Sequence, residues 1–260
     1  MRQLLQVGNA CIEVFVDGDA AAPAIVLLPS SQRDSADFDD FSRRLAAEGW
    51  RVLRPQPRGM GRSSAPPADM TLHTLAADVA HTIEQLGGGQ AIVAGHAFGH
   101  YVARVTDLDH PQRVRGVVVL AGAARSIPPG LPRALDIAAD ATRPEAERLA
   151  SLQLAFFAPG NDPSAWLTGW HPQWRDNYRR AAELPPKATW WPVSHAPILD
   201  LQAAEDPWRP RQTAQELKAV LGDRVTVRVI AGASHALIPE QPAAVVAAIV
   251  AWAHNTLPAA

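Results

Sequence analysis

GHAFG at residues 95–99 is the stretch whose residue types and spacing most clearly indicate a catalytic site. An apolar run at 91–95 precedes it and a helical pattern at 98–110 follows, so the spacing predicts a sharp strand-to-helix turn centred on Ala97. Such a turn strains its central residue and projects it from the C-terminal edge of a sheet. The following helix points free N–H groups at whatever binds there. Alanine itself has no atom that can attack a substrate, so any chemistry here needs other groups.

The elements that must position this turn alternate between strands and helices. A hairpin with a Gly8-Asn9 turn opens the chain, and short apolar runs then alternate with amphipathic segments that end at glycines. This alternation predicts an α/β fold with a mostly parallel, doubly wound sheet covered on both faces. The predicted strands are 24–29, 50–55, 91–95, 114–122, 197–204 and 225–230, and the predicted helices are 37–48, 70–86, 98–110, 213–221 and 242–254.

The alternation stops between residues 125 and 195, where no strand pattern is evident. This stretch is rich in proline and aromatic residues and holds five of the eight tryptophans. We therefore predict one α/β domain, formed by residues 1–124 and 196–260, with a mainly helical insertion at 125–195.

Composition excludes several classes of function. The net charge of −2 gives no electrostatic reason to bind nucleic acid or an anionic membrane. The single cysteine, Cys11, allows no intramolecular disulfide, and no long apolar run or secretory signal pattern is present. The expectation is a soluble, cytoplasmic protein. The dispersed histidines and the absence of nucleotide-binding loops predict no metal and no organic cofactor.

Four motifs, taken together, resemble those of the α/β-hydrolase superfamily. GHAFG resembles the nucleophile elbow GHSxG, and RGMGRSS at 58–64 resembles the family's RGxGxS loop. EDPWRP at 205–210 resembles the segment that carries the catalytic acid, and GASHALIPEQP at 232–242 resembles the final histidine loop. The order of elbow, acid and histidine is that of the family.

The resemblance implies a role for each matching position. Ala97 would occupy the nucleophile position, and Asp206 would orient His235, which would act as general base and then acid. The backbone N–H groups of Ser31 and Phe98 would hold an oxyanion. The insertion would be the family's cap, which roofs the site and selects a small-molecule substrate. The neighbouring Glu205 is expected to face solvent, and His96 is expected to be structural.

Five further residues are candidates for substrate binding, each with packing or backbone positioning as the alternative. They are Ser30, His100, Trp190, Trp191 and His195. Ser30 and His100 stand where the family usually has glycine, and Gln56 stands where aspartate is common. These departures concern the shape of the pocket and leave the predicted fold unchanged.

Alanine at the nucleophile position leaves three hypotheses. The chain is a hydrolase of a small, fairly apolar ester, lactone or related acyl substrate whose serine was replaced by engineering or drift; this is the favoured prediction. Alternatively, a His-Asp dyad works without a covalent intermediate, by activating water or by moving a proton in a lyase- or decarboxylase-type step. The third hypothesis is a non-catalytic member of the fold that binds a small ligand.

Overall fold

The computed structural model describes residues 1–258, and its centre is one eight-stranded sheet. The order across the sheet is β1-β2-β4-β3-β5-β6-β7-β8. β1 pairs antiparallel with β2, and β2 pairs antiparallel with β4; the remaining neighbours are parallel. The predicted α/β class with a mostly parallel sheet is confirmed. The strands are β1 (Arg2–Val7), β2 (Ala10–Asp17), β3 (Ala24–Leu28), β4 (Arg51–Pro55), β5 (Ala91–His96), β6 (Val114–Leu120), β7 (Ile198–Ala203) and β8 (Val225–Ile230).

Helices cover both faces of the sheet. They are α1 (Asp39–Ala47), α2 (Leu72–Leu86), α3 (Gly99–Asp109), α4 (Leu131–Ala139), α5 (Glu145–Ala155), α6 (Arg175–Glu183), α7 (Lys187–Trp190), α8 (Glu216–Leu221), α9 (Leu237–Glu240) and α10 (Pro242–Thr256). α2 begins at the predicted place because the Thr71 hydroxyl accepts the Thr74 N–H and the Thr74 side chain caps in return. The helix predicted at 213–221 is shorter than expected, since 3₁₀ turns precede α8 at Arg211–Thr213.

The central strands are buried on both faces, which explains their unbroken apolar sequences. β3, β4, β5 and β7 are buried along their whole length. On one face, residues of α1 and α10 such as Leu45 and Ile249 pack on the sheet. On the other face, residues of α2 and α3 such as Val79 and Val102 do so. The two layers fix the C-terminal edge of the sheet as a rigid platform.

The chain between β6 and β7 lies against this edge. It forms α4, α5, α6 and α7 and, within the described range, no strand. Its largest apolar cluster joins Leu152, Phe156 and Trp166 to Trp208 and Ala236, which lie in the loops after β7 and β8. The segment therefore packs onto the loops that carry the predicted acid and histidine. Its definition as a cap with bounds at 125 and 195 stays a prediction.

Backbone lies very close to backbone where β5 crosses α3. A Cβ on Gly95 would lie 2.2 Å from the carbonyl carbon of Gly99, and a Cβ on Gly99 would lie 2.3 Å from the Leu28 oxygen. Only glycine fits at these two positions, because the obstructing atoms are backbone and cannot rotate away. The crossing holds the turn at Ala97 in place.

This crossing predicts a large effect of Gly95→Ala on stability. We expect the free energy of unfolding to fall by about 3 kcal/mol or more, because overpacking against backbone cannot be relieved by rotamer changes. The measurement is chemical denaturation. Gly49→Ala is the matched control: it adds a methyl at φ +84° with nothing within 4 Å, so it should cost only about 1–2 kcal/mol. Equal losses for the two variants would contradict the argument.

Candidate active site

The backbone at Ala97 has the strained conformation of a nucleophile elbow. Its φ is +47°, in the left-handed region that residues with a Cβ rarely adopt. The Ala97 N–H donates to the Leu120 carbonyl at 3.0 Å, which ties the turn to the end of β6. The strain, about 1–2 kcal/mol, is therefore retained although no nucleophilic atom is presented.

The predicted histidine and acid form a hydrogen-bonded pair. His235 Nδ1 lies 2.9 Å from Asp206 Oδ2, and both residues are buried. Asp206 Oδ1 accepts the Trp208 N–H at 2.8 Å, and the Trp208 ring stacks on the imidazole at 5.1 Å. A carboxylate can only accept, so Nδ1 carries the proton and Nε2 is left as the basic atom. Glu205 is exposed, as expected.

Two backbone amides next to the turn have no acceptor. Among residues 1–258, neither the Ser31 N–H nor the Phe98 N–H donates to another protein atom. Gln32, directly after Ser31, has φ +63°, in the left-handed region. Two free donors beside one cavity are the arrangement that stabilises an oxyanion.

A cavity of about 210 Å³ joins these groups. Its walls are mostly apolar and include side chains from the segment between β6 and β7. The residues that line it are Ser30, Ser31, Gln32, Ala97, Phe98, Tyr101, Ala123, Ile127, Pro132, Leu135, Arg175, Tyr178, Arg179, Ala182, Trp208 and His235. A cavity of this size fits a small molecule with a largely apolar body.

Four of the five further candidates lie elsewhere, and their prediction as pocket residues requires correction. His100 is buried beneath the turn, where Gly122 leaves room for its ring. Trp190 and Trp191 are fully buried against Tyr101 and Arg104.

His195 is the fourth of these residues, and Ser30 is the exception. His195 is exposed and precedes β7 at its N-terminal end, which is the opposite edge of the sheet from the cavity. Spacing along the chain did not reveal which way these side chains face. Ser30 does line the cavity, and its role in substrate binding stays a prediction.

His96 acts on the site through the backbone of His235. Its Nε2 lies 2.7 Å from the His235 carbonyl oxygen. Burial lowers the pKa of His96 to about 3, so the ring is neutral and Nε2–H donates. This bond holds the loop that presents the dyad, in agreement with the structural role expected for His96.

Sequence reasoning missed Arg33, which connects the Ser31 loop to the segment above the site. Its guanidinium makes two hydrogen bonds to Asp37, at 2.7 and 2.6 Å, and one to the Thr168 carbonyl at 2.6 Å. It lies 4.7 Å from the ring centres of both Trp166 and Trp170. The Arg33/Asp37 spacing was visible in the sequence, but nothing there indicated the two tryptophans.

A second link beside Arg33 fixes the same loop. His171 Nε2 lies 3.0 Å from Asp34 Oδ2, and the His171 N–H donates to the Gln32 carbonyl at 2.9 Å. Residues 32–34 and 166–171 therefore form one hydrogen-bonded unit, which determines where the Ser31 amide points.

Residues 1–258 contain no group of three or more His, Cys, Asp or Glu side chains placed to hold a metal ion. In the same range, no helix has the length and apolar character needed to cross a bilayer.

The two buried histidines of the turn predict a loss of stability in acid. Burial lowers the pKa of His96 to about 3 and the pKa of His100 well below its usual range. The unfolded chain binds protons at these residues below about pH 6.5 while the folded chain does not, so acid favours unfolding. From about pH 7 to about pH 5, His96 should remove roughly 2 kcal/mol, and His100 should act in the same direction.

Urea denaturation of His100→Asn at several pH values tests this prediction. The variant should lose less stability between neutral and acidic pH than the parent, whatever its stability at neutral pH. His254→Asn, at an exposed position on α10, is the control and should keep the parental slope. An unchanged slope for His100→Asn would show that this histidine does not contribute to the acid sensitivity.

Arg33→Lys should weaken the connection between the Ser31 loop and the tryptophans. Lysine keeps the charge but cannot bind Asp37 through two nitrogens or place a planar cation beside the two rings, so we expect a loss of about 2 kcal/mol in unfolding free energy. Arg44→Lys, in a surface pair with Asp40, is the control and should change stability little. Similar values for the two variants would argue against a buried clamp.

Comparison with known proteins gives a consistent assignment. The model of the alpha/beta hydrolase family matches residues 25–248. The RutD protein of Caulobacter segnis, named for carbamate hydrolysis, is 33% identical over 124 residues, 47% of this chain and 46% of its own. Epoxide hydrolase A of Mycobacterium tuberculosis is 31% identical over 134 residues, 51% of this chain and 40% of its own. The matched region is thus less than half of each relative.

Solved structures agree over nearly the whole chain. The enol-lactonase of Burkholderia xenovorans LB400 has a TM-score of 0.74 at 22% identity, covering 97% of this chain and 100% of its own. A hydrolase from Pseudomonas aeruginosa PA01 has a TM-score of 0.74 at 23% identity, covering 96% and 97%. At such identities the likeness concerns the fold. With the family match across most of the chain and the sheet order described above, this protein belongs to the alpha/beta hydrolase family.

Proposed function

We propose that this protein hydrolyses a small, mainly apolar ester or lactone, with the His235–Asp206 dyad activating water directly. The observation that carries the proposal is that one cavity is lined by Ala97, by His235 with its Asp206 partner, and by Ser31 and Phe98, whose backbone N–H groups have no acceptor among residues 1–258. These are the parts required for acyl transfer, apart from the covalent nucleophile.

The mechanism follows from the positions of these groups. The substrate carbonyl oxygen accepts from the Ser31 and Phe98 N–H groups, which face negative charge as it develops. His235 Nε2 takes a proton from water while the water oxygen bonds to the carbonyl carbon. Asp206 stabilises the imidazolium. The imidazolium then protonates the leaving alcohol oxygen as the carbon–oxygen bond breaks, giving a carboxylic acid and an alcohol.

Ala97 gives the attacking water room. A serine would place its hydroxyl oxygen between His235 and the amides, and alanine leaves that volume within the cavity. A water oxygen bound there can reach the carbonyl carbon. Without a covalent intermediate we expect modest turnover, because a disabled triad keeps roughly 10³–10⁴-fold catalysis over water from its oxyanion hole and binding.

The relatives support hydrolysis without specifying the bond. Their names refer to carbamates, epoxides and, for a zebrafish relative 30% identical over 113 residues, diacylglycerol. The choice of an ester or lactone rests on the cavity, whose amide pair suits a carbonyl oxygen and whose walls suit an apolar body.

His235→Ala tests the catalytic role of the dyad. On p-nitrophenyl acetate, p-nitrophenyl butyrate and small lactones, kcat/KM should fall by about 10²–10⁴-fold, the usual contribution of a general base. Asp206→Asn should also reduce it by fixing the wrong tautomer. His254→Ala, at an exposed histidine on α10, should leave the rate unchanged. Turnover that persists in His235→Ala for every substrate would overturn the proposal.

Ala97→Ser separates direct water attack from a disabled serine esterase. Direct water attack predicts measurable, His235-dependent turnover by the parent without a burst. A silent parent with a serine variant that shows a burst would identify a disabled esterase site. If both proteins are silent on esters and lactones, the hydrolase proposal fails, and proton transfer from a carbon acid, with the amide pair holding an enolate, becomes the next hypothesis.

A further inference from the structure

We propose that the cavity recognises a carboxylate on its substrate through Arg175 and Arg179. The inference rests on the proposed function and narrows it: the substrate would be a small acyl compound with an apolar middle, a reactive carbonyl at one end and a carboxylate at the other.

One face of α6 forms the cavity wall opposite the platform of the sheet. Arg175, Tyr178, Arg179 and Ala182 all line the cavity. Their spacing of three, four and seven residues places them on a single side of the helix. The Tyr178 ring meets the Phe98 ring edge-on with centres 5.6 Å apart, so α6 packs against the side chain of a residue that carries one of the two free amides. Each arginine is within one helical turn of that contact.

The cavity wall is positively charged. Apart from His235, Arg175 and Arg179 are the only residues among those that line the cavity whose side chains carry a charge near neutral pH. Their acidic neighbours lie outside: Arg179 Nη2 contacts Asp136 Oδ1 at 2.7 Å, and Arg175 Nε contacts Asp176 Oδ1 at 2.9 Å. Neither aspartate lines the cavity.

Both arginines retain donors for a ligand. A guanidinium has five N–H groups, and each of these contacts engages one nitrogen. The side chains are 42% and 47% exposed, which places them where the cavity meets solvent. The remaining walls are largely apolar, so a neutral substrate body can lie against them while its anionic end reaches the arginines.

Binding of matched amides tests the inference without requiring turnover. The probes are the monoamides of succinic, adipic and suberic acid, each with one carboxylate and one carbonyl amide, and the corresponding diamides, which are neutral. Titration calorimetry on the parent protein should show at least one monoamide binding about tenfold or more tightly than its diamide. The preference should decrease at high salt, because the arginines are partly exposed.

Variants on α6 assign the effect to the two arginines. Arg175→Gln and Arg179→Gln should each reduce the preference for the monoamide several-fold and leave diamide binding unchanged. Arg180→Gln is the matched control, since Arg180 is exposed on the same helix and does not line the cavity. Equal binding of monoamides and diamides, binding of neither, or an equal effect of Arg180→Gln would overturn the inference.

The two proposals fail separately. If the protein shows His235-dependent turnover but no preference for a carboxylate, only the proposed substrate class is wrong. A carboxylate preference in a protein whose turnover does not depend on His235 would remove the proposed function and leave the anion site.

Discussion

The close crossing of β5 and α3 is the constraint on which the site depends. Gly95 and Gly99 allow backbone to touch backbone, and the contact forces the left-handed turn at Ala97. This turn positions the free backbone N–H of Phe98, begins α3 and forms the floor of the cavity. Backbone strain such as that at Ala97 persists only when the packing around the residue leaves it no other conformation. Here the packing persists although the residue at its centre has no reactive atom.

The site above this platform is formed by separate loops, and each loop is held by its own contacts. His96 holds the loop of His235 through one carbonyl, and Asp206 with Trp208 holds the imidazole itself. Arg33 and His171 fix the loop of Ser31. Each of these groups is thus positioned by neighbours that are buried or, for His171, half-buried, which is the condition for a preorganised electrostatic site.

Much of the fold followed from local sequence pattern. Unbroken apolar runs predict buried strands. The spacing of the two glycines around Ala97 predicts a sharp strand-to-helix turn. The placement of Asp206 beside His235 rested on resemblance and order along the chain, and the geometry is consistent with it. Their catalytic roles remain predictions.

What sequence could not provide is the direction of side chains in the segment between β6 and β7. Trp190 and Trp191 look like pocket walls by composition, yet they fill the space above Arg104. By sequence, Arg175 and Arg179 resemble ordinary surface charges. Only the packing of α6 against Phe98 shows that they line the cavity. The direction of these side chains depends on packing between residues far apart in the chain, which a window of a few residues does not reveal.

The clamp around Arg33 has a mechanical consequence. Residues 32–34 and 166–171 are joined by the Arg33 cation beside two tryptophan rings and by several hydrogen bonds, so we expect them to move together. Lifting the tryptophan segment to admit a ligand would carry the Ser31 amide out of position and dismantle the donor pair. We therefore expect a ligand to enter without separating these two segments, and the partly exposed side chains of Arg175 and Arg179 lie where the cavity meets solvent.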